Sequence, residues 1–123
     1  MSTKREPLPA PADLSDVEPF DNSFRWWVRS RTSRKRYLVD LSLYKNNGKC
    51  ACPDFLNHFE KYLSRGFNAQ QVFEAGEVKL RDYQLGINDA LRCWHICRAI
   101  QKQSLCFCET LQAAQAAQSN RPQ

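Results

Sequence analysis

The sequence contains no long apolar run. No stretch of its 123 residues approaches the roughly 20 consecutive apolar residues that a membrane-spanning helix needs. The first 21 residues have no apolar segment of the signal-peptide kind, and they contain four prolines. We therefore expect neither a signal peptide nor a membrane anchor. We predict an intracellular protein, cytoplasmic or, in a eukaryote, nuclear.

Glycine and histidine are also scarce, which argues against several classes of enzyme. The four glycines are scattered at positions 48, 66, 76 and 86, so the chain has no glycine-rich phosphate-binding loop. His58, one of two histidines, has no serine or cysteine partner in a recognisable catalytic arrangement. We expect no enzymatic activity and no small-molecule substrate.

Cysteine, in contrast, is abundant for a chain of this length. Six cysteines are present, and two pairs are separated by one residue each: Cys50 with Cys52, and Cys106 with Cys108. These spacings are too tight for an ordinary disulfide within either pair. In a reducing compartment, closely spaced cysteines hold a metal more often than they form disulfides. The cysteine pattern therefore predicts a metal site.

Four residues have the spacing of a zinc site: Cys50, Cys52, Cys93 and His95. Zinc takes four thiolate or imidazole donors in a tetrahedron, and alternate residues of a strand point to the same side. Residues two apart in a helix point in very different directions, so the second pair requires that the last helix begin near Cys93. Because four donors close the coordination sphere, we predict one structural zinc ion.

Three other candidate ligands leave alternatives open. Cys97 lies four residues after Cys93 and can replace His95 if the helix begins early, although a buried core thiol is the favoured interpretation. His58 lies within reach of Cys52, and its favoured interpretation is a partly exposed helix residue. Cys106 and Cys108 have no further donors to pair with. We expect them to pack on the sheet or to form an exposed redox-sensitive pair.

The pattern of apolar residues predicts an α+β fold: a small antiparallel sheet of about three strands, with two or three helices around the zinc site. Residues 24–30 and 36–44 are rich in strand formers, and the turn at 46–48 leads to a short third strand. Helices are expected near 55–65, behind an N-cap at Asp54, near 69–74, and from about Cys93 to Gln118.

Composition divides the chain into three regions. Residues 1–21 are rich in proline and acids, and we expect them to be a disordered tail. Residues 22–108 form the zinc-binding module, with a helical insertion at about 54–88. Residues 109–123 form an Ala/Gln-rich tail that is helical or frayed. The net charge is +5; the first region carries −3, so the remainder carries +8.

The positive charge is concentrated in the first predicted hairpin. Six basic residues without an intervening acid lie within twelve positions, with tryptophan and tyrosine among them: Arg25, Arg29, Arg31, Arg34, Lys35 and Arg36. Basic side chains on a hairpin can contact successive phosphates, and an exposed ring such as Trp27 can stack on an unpaired base. We predict a nucleic-acid surface there, with DNA favoured. The opposing interpretation is a solvated hairpin tip.

The sequence resembles the SWIM zinc finger, whose pattern is Cys-x-Cys followed by Cys-x-His. The residues that carry the likeness are Cys50-Ala51-Cys52-Pro53-Asp54-Phe55 and Cys93-Trp94-His95-Ile96. The family's two strand signatures, Val-x-Ser and Tyr-x-Val, are matched by residues 28–30 and 37–39. The resemblance covers about 24–100 and implies the same four ligands, although the spacer of residues 53–92 is longer than the family usually has.

SWIM modules are implicated in binding both DNA and proteins. The alternative function is therefore a protein-interaction adaptor for a larger recombination, transposition or helicase-type partner. Its docking surface would be the aromatic helix face of residues 55–63 or the C-terminal Ala/Gln helix. Charge reversal in the hairpin separates the two possibilities, because only nucleic-acid binding depends on those charges.

Overall fold

The structure, a computed structural model, describes residues 11–21, 24–30 and 34–119, with side chains from residue 14 to residue 107. Its centre is a four-stranded antiparallel sheet in the order β1-β2-β3-β4. The strands are β1 (Val17–Pro19), β2 (Arg25–Arg29), β3 (Arg36–Asp40) and β4 (Lys49–Cys50). The predicted α+β class is confirmed, with one strand more than expected.

Helices and turns connect and cover the sheet. A 3-10 helix over Pro11–Asp16 precedes β1, and a second spans Ile87–Asp89. The helical elements are α1 (Leu43–Asn46), a single turn with left-handed backbone angles at its centre, and the α-helices α2 (Pro53–His58), α3 (Glu60–Leu63), α4 (Ala69–Glu74) and α5 (Trp94–Ser119). The long helix α5 packs across all four strands.

The sheet has one buried face and one outer face. Trp26, Val28 and Val39 are buried on the inner face, where Ile96 and Ala99 of α5 join the same core. Trp27 lies on the outer face and is only partly buried. The alternation along β2 thus places the two adjacent tryptophans on opposite sides of the sheet, as predicted.

Strand β3 ends earlier than predicted. The sequence favoured a strand through Tyr44, but β3 ends at Asp40, whose carboxylate accepts hydrogen bonds from the Ser42 backbone N–H and hydroxyl at 2.9 and 2.6 Å. Tyr44, Lys45 and Asn46 then take positive φ angles of 54°, 56° and 69°. An aspartate that bonds the backbone two residues ahead stabilises a turn, which alternating apolar residues do not reveal.

Part of the N-terminal segment is ordered, contrary to the prediction. Residues 1–21 were expected to be disordered, but residues 11–21 contain the first 3-10 helix and β1, while residues 1–10 lie outside the described chain. Leu14 and Val17 are buried, and Asp16 binds the buried guanidinium of Arg98 through two hydrogen bonds of 2.6 and 3.1 Å. A buried arginine needs an anion, and this one recruits the acidic segment.

Two short helices replace the single helix predicted over residues 55–65. The chain breaks between them at Phe59, where φ is −118°. Phe55, Phe59 and Leu63 are nevertheless buried together, as the spacing indicated. The helical cap differs from the prediction, because Cys52 and not Asp54 is the N-cap of α2.

The later helices agree closely with the sequence pattern. Helix α4 spans the predicted residues, and Asn68 and Gln71 form a capping box at its start. Helix α5 begins at Trp94, directly after Cys93, as the zinc geometry required. Within the described part of the chain, none of the helices combines the length and apolar character needed to cross a membrane.

Candidate metal centre

The structure brings together the four predicted ligands. One donor atom from each of Cys50, Cys52, Cys93 and His95 lies within 4.8 Å of the others. The three cysteines are buried and the histidine is partly buried. The donors come from distant parts of the chain, two around the end of β4 and two at the start of α5, so the fold itself assembles the group.

The first pair is positioned by a strand end and a helix start. Cys50 pairs with Val39 in the sheet, and Cys52 has an extended backbone before Pro53 opens α2. The Cys52 backbone N–H donates to the Cys50 sulfur, and the Phe55 N–H donates to the Cys52 sulfur, each at 3.4 Å. Backbone donors aimed at sulfur favour the thiolate that metal binding requires.

The second pair straddles the start of α5. Cys93 precedes the helix, and His95 is in its first turn, with Nδ1 3.8 Å from the Cys93 sulfur. The imidazole is held between Tyr37 at 5.0 Å and Trp94 at 5.6 Å between ring centroids. Its Nε2 is buried with no hydrogen-bond partner among the described residues. The nitrogen beside the Cys93 sulfur, Nδ1, is therefore the one placed to act as a metal ligand.

Two hydrogen bonds link the segment before Cys50 to the segment before Cys93. Their donors and acceptors are 44 and 45 residues apart in the sequence. The Asn47 side-chain amide donates to the Leu91 carbonyl at 3.0 Å, and the Arg92 Nε donates to the Asn47 carbonyl at 2.9 Å. Asn47 lies three residues before Cys50, and Arg92 directly precedes Cys93. These bonds from side chains to backbone carbonyls thus fix the separation of the two ligand pairs.

A buried glutamine supports the second pair from the other side. Gln84 is fully buried, and its amide nitrogen donates to the carbonyls of Asp89 and Arg92 at 2.8 and 2.7 Å. Its amide oxygen accepts a hydrogen bond from the Arg81 backbone N–H at 2.6 Å. Sequence reasoning missed this residue, as it missed the roles of Asn47 and Arg92, because a single polar residue in a loop has no periodic signal.

Gly48 allows β4 to approach α5 closely. Its φ is +96°, and a Cβ at this position would lie 2.9 Å from Cγ2 of Ile96. Any side chain here would therefore meet both a strained backbone and the helix that carries His95. The glycine, predicted as part of a turn, also sets the packing distance beside the site.

The pKa values of the three cysteines are shifted in opposite directions. Hydrogen bonds from Cys50, and then from Cys93, hold the pKa of Cys52 far below the ordinary thiol value. The pKa of Cys50 is raised to about 12, mainly by the hydrogen bond between its side chain and that of Cys52. Burial raises the pKa of Cys93 well above its usual range. Of the three sulfurs, that of Cys52 therefore loses its proton most readily.

The competing ligands lie apart from this group. Cys97 is buried, as the core interpretation predicted, but it is not among the four clustered donors. His58 is exposed on α2 beside Asp54, at 3.9 Å. Cys106 is half-buried against the core, whereas the side chain of Cys108 lies outside the described residues.

The predicted nucleic-acid residues lie on the outer face of the sheet and at its hairpin. Arg25, Trp27 and Arg29 alternate along β2, while Arg36 follows directly opposite Arg29 on β3. Arg34 and Lys35 are exposed before β3. Arg31 lies outside the described residues.

Two of these arginines already contact acids of the N-terminal segment. Arg25 forms an ion pair with Asp21, and Arg36 forms one with Glu18 at 3.2 Å. The basic surface is therefore partly neutralised by a segment that sequence reasoning had treated as a separate tail.

No family model, curated protein or solved structure significantly matches this chain. The likeness to the SWIM pattern consequently rests on the residues quoted from the sequence.

Proposed function

We propose that Cys50, Cys52, Cys93 and His95 bind one zinc ion that holds the module together. The observation that carries this proposal is the clustering of three sulfurs and an imidazole within 4.8 Å. A tetrahedral zinc site with bonds of about 2.3 Å has donors about 3.8 Å apart, and the Cys93 sulfur lies 3.8 Å from the His95 Nδ1. Thiolates favour zinc over magnesium or calcium, which prefer oxygen donors.

The proposed role of the metal is structural and the module is non-enzymatic. Four protein donors complete a tetrahedron, so no coordination position remains for a substrate or an activated water. The nearby carboxylate of Asp54 is hydrogen-bonded to Arg81 at 2.6 Å, so it is already committed to an ion pair. A reducing, intracellular compartment would keep the thiols available to the metal.

The SWIM resemblance is part of the proposal. Its two strand signatures lie side by side, with Val28 directly opposite Tyr37 on the neighbouring strand. The Tyr37 ring also contacts His95, a proposed ligand. This arrangement supports a link between the strand signatures and the metal centre, because the second signature positions the imidazole.

The module's proposed activity is binding to nucleic acid, with DNA favoured, through the outer sheet face and the hairpin. Arg29 and Arg36 face each other directly across the two strands. Like charges in directly opposed positions are unfavourable within a sheet, whereas a polyanion laid across them would be attracted by both. The adaptor alternative is less well supported, because the aromatic face of residues 55–63 is largely buried within the chain.

Metal content and thermal melting test the zinc proposal. We expect one zinc per chain in the purified protein and loss of the cooperative melting transition on chelation or in Cys52→Ala. A structural zinc site contributes on the order of 10 kcal/mol to folding, which exceeds what a module of this size can lose. A zinc-free protein that retains its cooperative transition would contradict the proposal.

A salt titration against DNA tests the proposed surface. Charge reversal at Arg34, Lys35 and Arg36 should weaken binding and reduce its dependence on salt, because fewer counterions are released. Reversal of Arg65, an exposed arginine after α3, serves as the matched control. Binding that is absent or insensitive to salt would instead favour the adaptor, whose partner binding should survive the reversal.

A further inference from the structure

Three side chains of residues 18–21, in the N-terminal segment, already contact the outer face of the sheet. Glu18 lies directly opposite Trp27 in the sheet register, and Phe20 and Asp21 follow at the end of β1. These groups present a carboxylate, an aromatic ring and a second carboxylate within four residues. Each of them contacts a residue predicted to bind nucleic acid.

The contacts connect in one row across the face. The Phe20 ring packs edge-on against Trp27 at 5.7 Å, and the Arg36 guanidinium lies over the Trp27 ring at 5.3 Å. At the other end, the Arg25 guanidinium lies over the Phe20 ring at 4.9 Å. The Glu18 and Asp21 carboxylates bind Arg36 and Arg25, respectively. The face therefore binds two anions and one ring at the same time.

The chemistry of this internal occupant points to a ligand. A single strand of nucleic acid offers phosphates and unpaired bases in alternation, as this segment offers carboxylates around a ring. We propose that the outer face binds single-stranded nucleic acid, with a base against Trp27 in place of Phe20 and phosphates at Arg25 and Arg36 in place of the carboxylates. This inference rests on the nucleic-acid binding proposed above.

A single strand fits this face better than a duplex does. Trp27 is partly buried between its neighbours on the sheet, so only a base free to leave its stack can reach the ring. Stacking on an aromatic side chain is the common mode of single-strand binding, with basic groups following the backbone. A duplex would expose mainly its phosphates to the same face.

The exposed contact between Glu18 and Arg36 is weak enough to be displaced. The Glu18 and Arg36 side chains are 54% and 50% exposed, and ion pairs of that exposure contribute little to stability. Strand β1 itself is held elsewhere, by the buried side chain of Val17 and the Asp16–Arg98 pair. A ligand can therefore replace the outer contacts without removing the strand from the sheet.

Binding of fluorescently labelled 15-mers to the full zinc-loaded chain tests the inference. The probes are oligo-dT, oligo-U and a mixed-sequence DNA duplex, at two salt concentrations. Trp27→Leu should weaken single-strand binding at least about tenfold and change duplex binding little, since base stacking is the lost contribution. Phe67→Leu, an exposed aromatic outside the sheet, is the matched control and should have no effect.

Removal of the two carboxylates that occupy the face, Glu18 and Asp21, gives a gain-of-function test. The double variant Glu18→Gln with Asp21→Asn should bind single strands about three- to tenfold more tightly, because both carboxylates that compete with phosphates for Arg36 and Arg25 are neutralised. Glu77→Gln, which removes an exposed acid elsewhere, should leave binding nearly unchanged. Zinc content and melting temperature verify that each variant is folded.

The outcomes separate this inference from the broader proposal. Equal affinity for duplex and single strands, with no effect of Trp27→Leu, would overturn the single-strand assignment and retain nucleic-acid binding. Absence of binding to all three probes in the Glu18→Gln, Asp21→Asn variant would overturn both.

Discussion

At the residue scale, Gly48 combines a backbone constraint with a packing constraint beside the candidate metal centre. Gly48→Ala should destabilise the zinc-loaded protein by about 2 to 4 kcal/mol. The positive φ of +96° contributes about 1 to 2 kcal/mol of that cost, and the contact with Ile96 adds a repacking penalty. Denaturant unfolding at a saturating zinc concentration measures the change.

Gly66→Ala separates the two contributions. Gly66 has a similar φ of +88°, but a Cβ there would meet no atom within 4 Å. We expect its substitution to cost only the backbone share, about 1 to 2 kcal/mol. Equal losses for the two variants would show that the approach of Gly48 to α5 has no energetic role.

Substitution of Cys97 by serine, which replaces only the sulfur atom, tests the ligand assignment. The buried thiol of Cys97 lies outside the group of four donors that cluster within 4.8 Å, so the geometry excludes it from the proposed ligand set. Cys97→Ser should retain one metal per chain and an unchanged cobalt-substituted absorption spectrum. Cys93→Ser, one helical turn earlier, should lose the metal or shift that spectrum. A lost metal in Cys97→Ser would place Cys97 in the ligand set.

The clustering of the four candidate ligands could be predicted from sequence, whereas the residues that support them could not. Cys50, Cys52, Cys93 and His95 belong to rare residue types whose spacing has few chemical explanations. Asn47 was predicted only as part of a turn, because its side chain acts on a carbonyl 44 residues away. Buried amides such as Gln84 look like surface residues until the packing of the loops is known.

At the scale of secondary-structure elements, the pair of Asp16 and Arg98 fixes the N-terminal segment to α5. The Arg98 side chain is 2% exposed, and it also donates to Gln101 at 3.0 Å. Asp16→Asn should destabilise the protein by about 3 to 5 kcal/mol, because it leaves a buried guanidinium without its counter-charge. Thermal or denaturant unfolding measures this loss.

An exposed pair provides the comparison for that measurement. Glu18→Gln removes the partner of the half-exposed Arg36, and we expect a loss of at most about 1 kcal/mol. A similarly small loss for Asp16→Asn would mean that the segment is not anchored by its buried ion pair.

Local signals predicted some elements well and long-range interactions decided the others. Helix α4 has its own capping box, so residues 68–74 contain the information that defines it. Strand β1 has only three residues, and it is stabilised by pairing with β2 and by Arg98, 82 residues from Asp16. A short acidic segment of this kind resembles a disordered tail when its distant partners are unknown.

At the scale of the whole molecule, the proposed zinc joins two halves of the chain that the fold brings together. A metal linking Cys52 to Cys93 closes a loop of about 40 residues, which would restrict the unfolded chain much as a disulfide does. The loop contains α2, α3 and α4, so zinc binding should stabilise all of them together. This coupling is why we expect chelation to remove a cooperative transition and not merely to loosen one loop.

Zinc binding should also release protons. The number released depends on whether the cysteines already have their folded arrangement before zinc binds. Cys50 and Cys93 have raised pKa values and are protonated near pH 7.5, whereas the pKa of Cys52 is lowered and its sulfur is already a thiolate. Binding to the folded arrangement should therefore release about two protons, and affinity should rise about a hundredfold per pH unit between pH 7 and 8. An unfolded chain with three ordinary thiols would release nearly three. Calorimetry in two buffers of different ionisation enthalpy measures the number directly, and an affinity independent of pH would contradict coordination by these thiols.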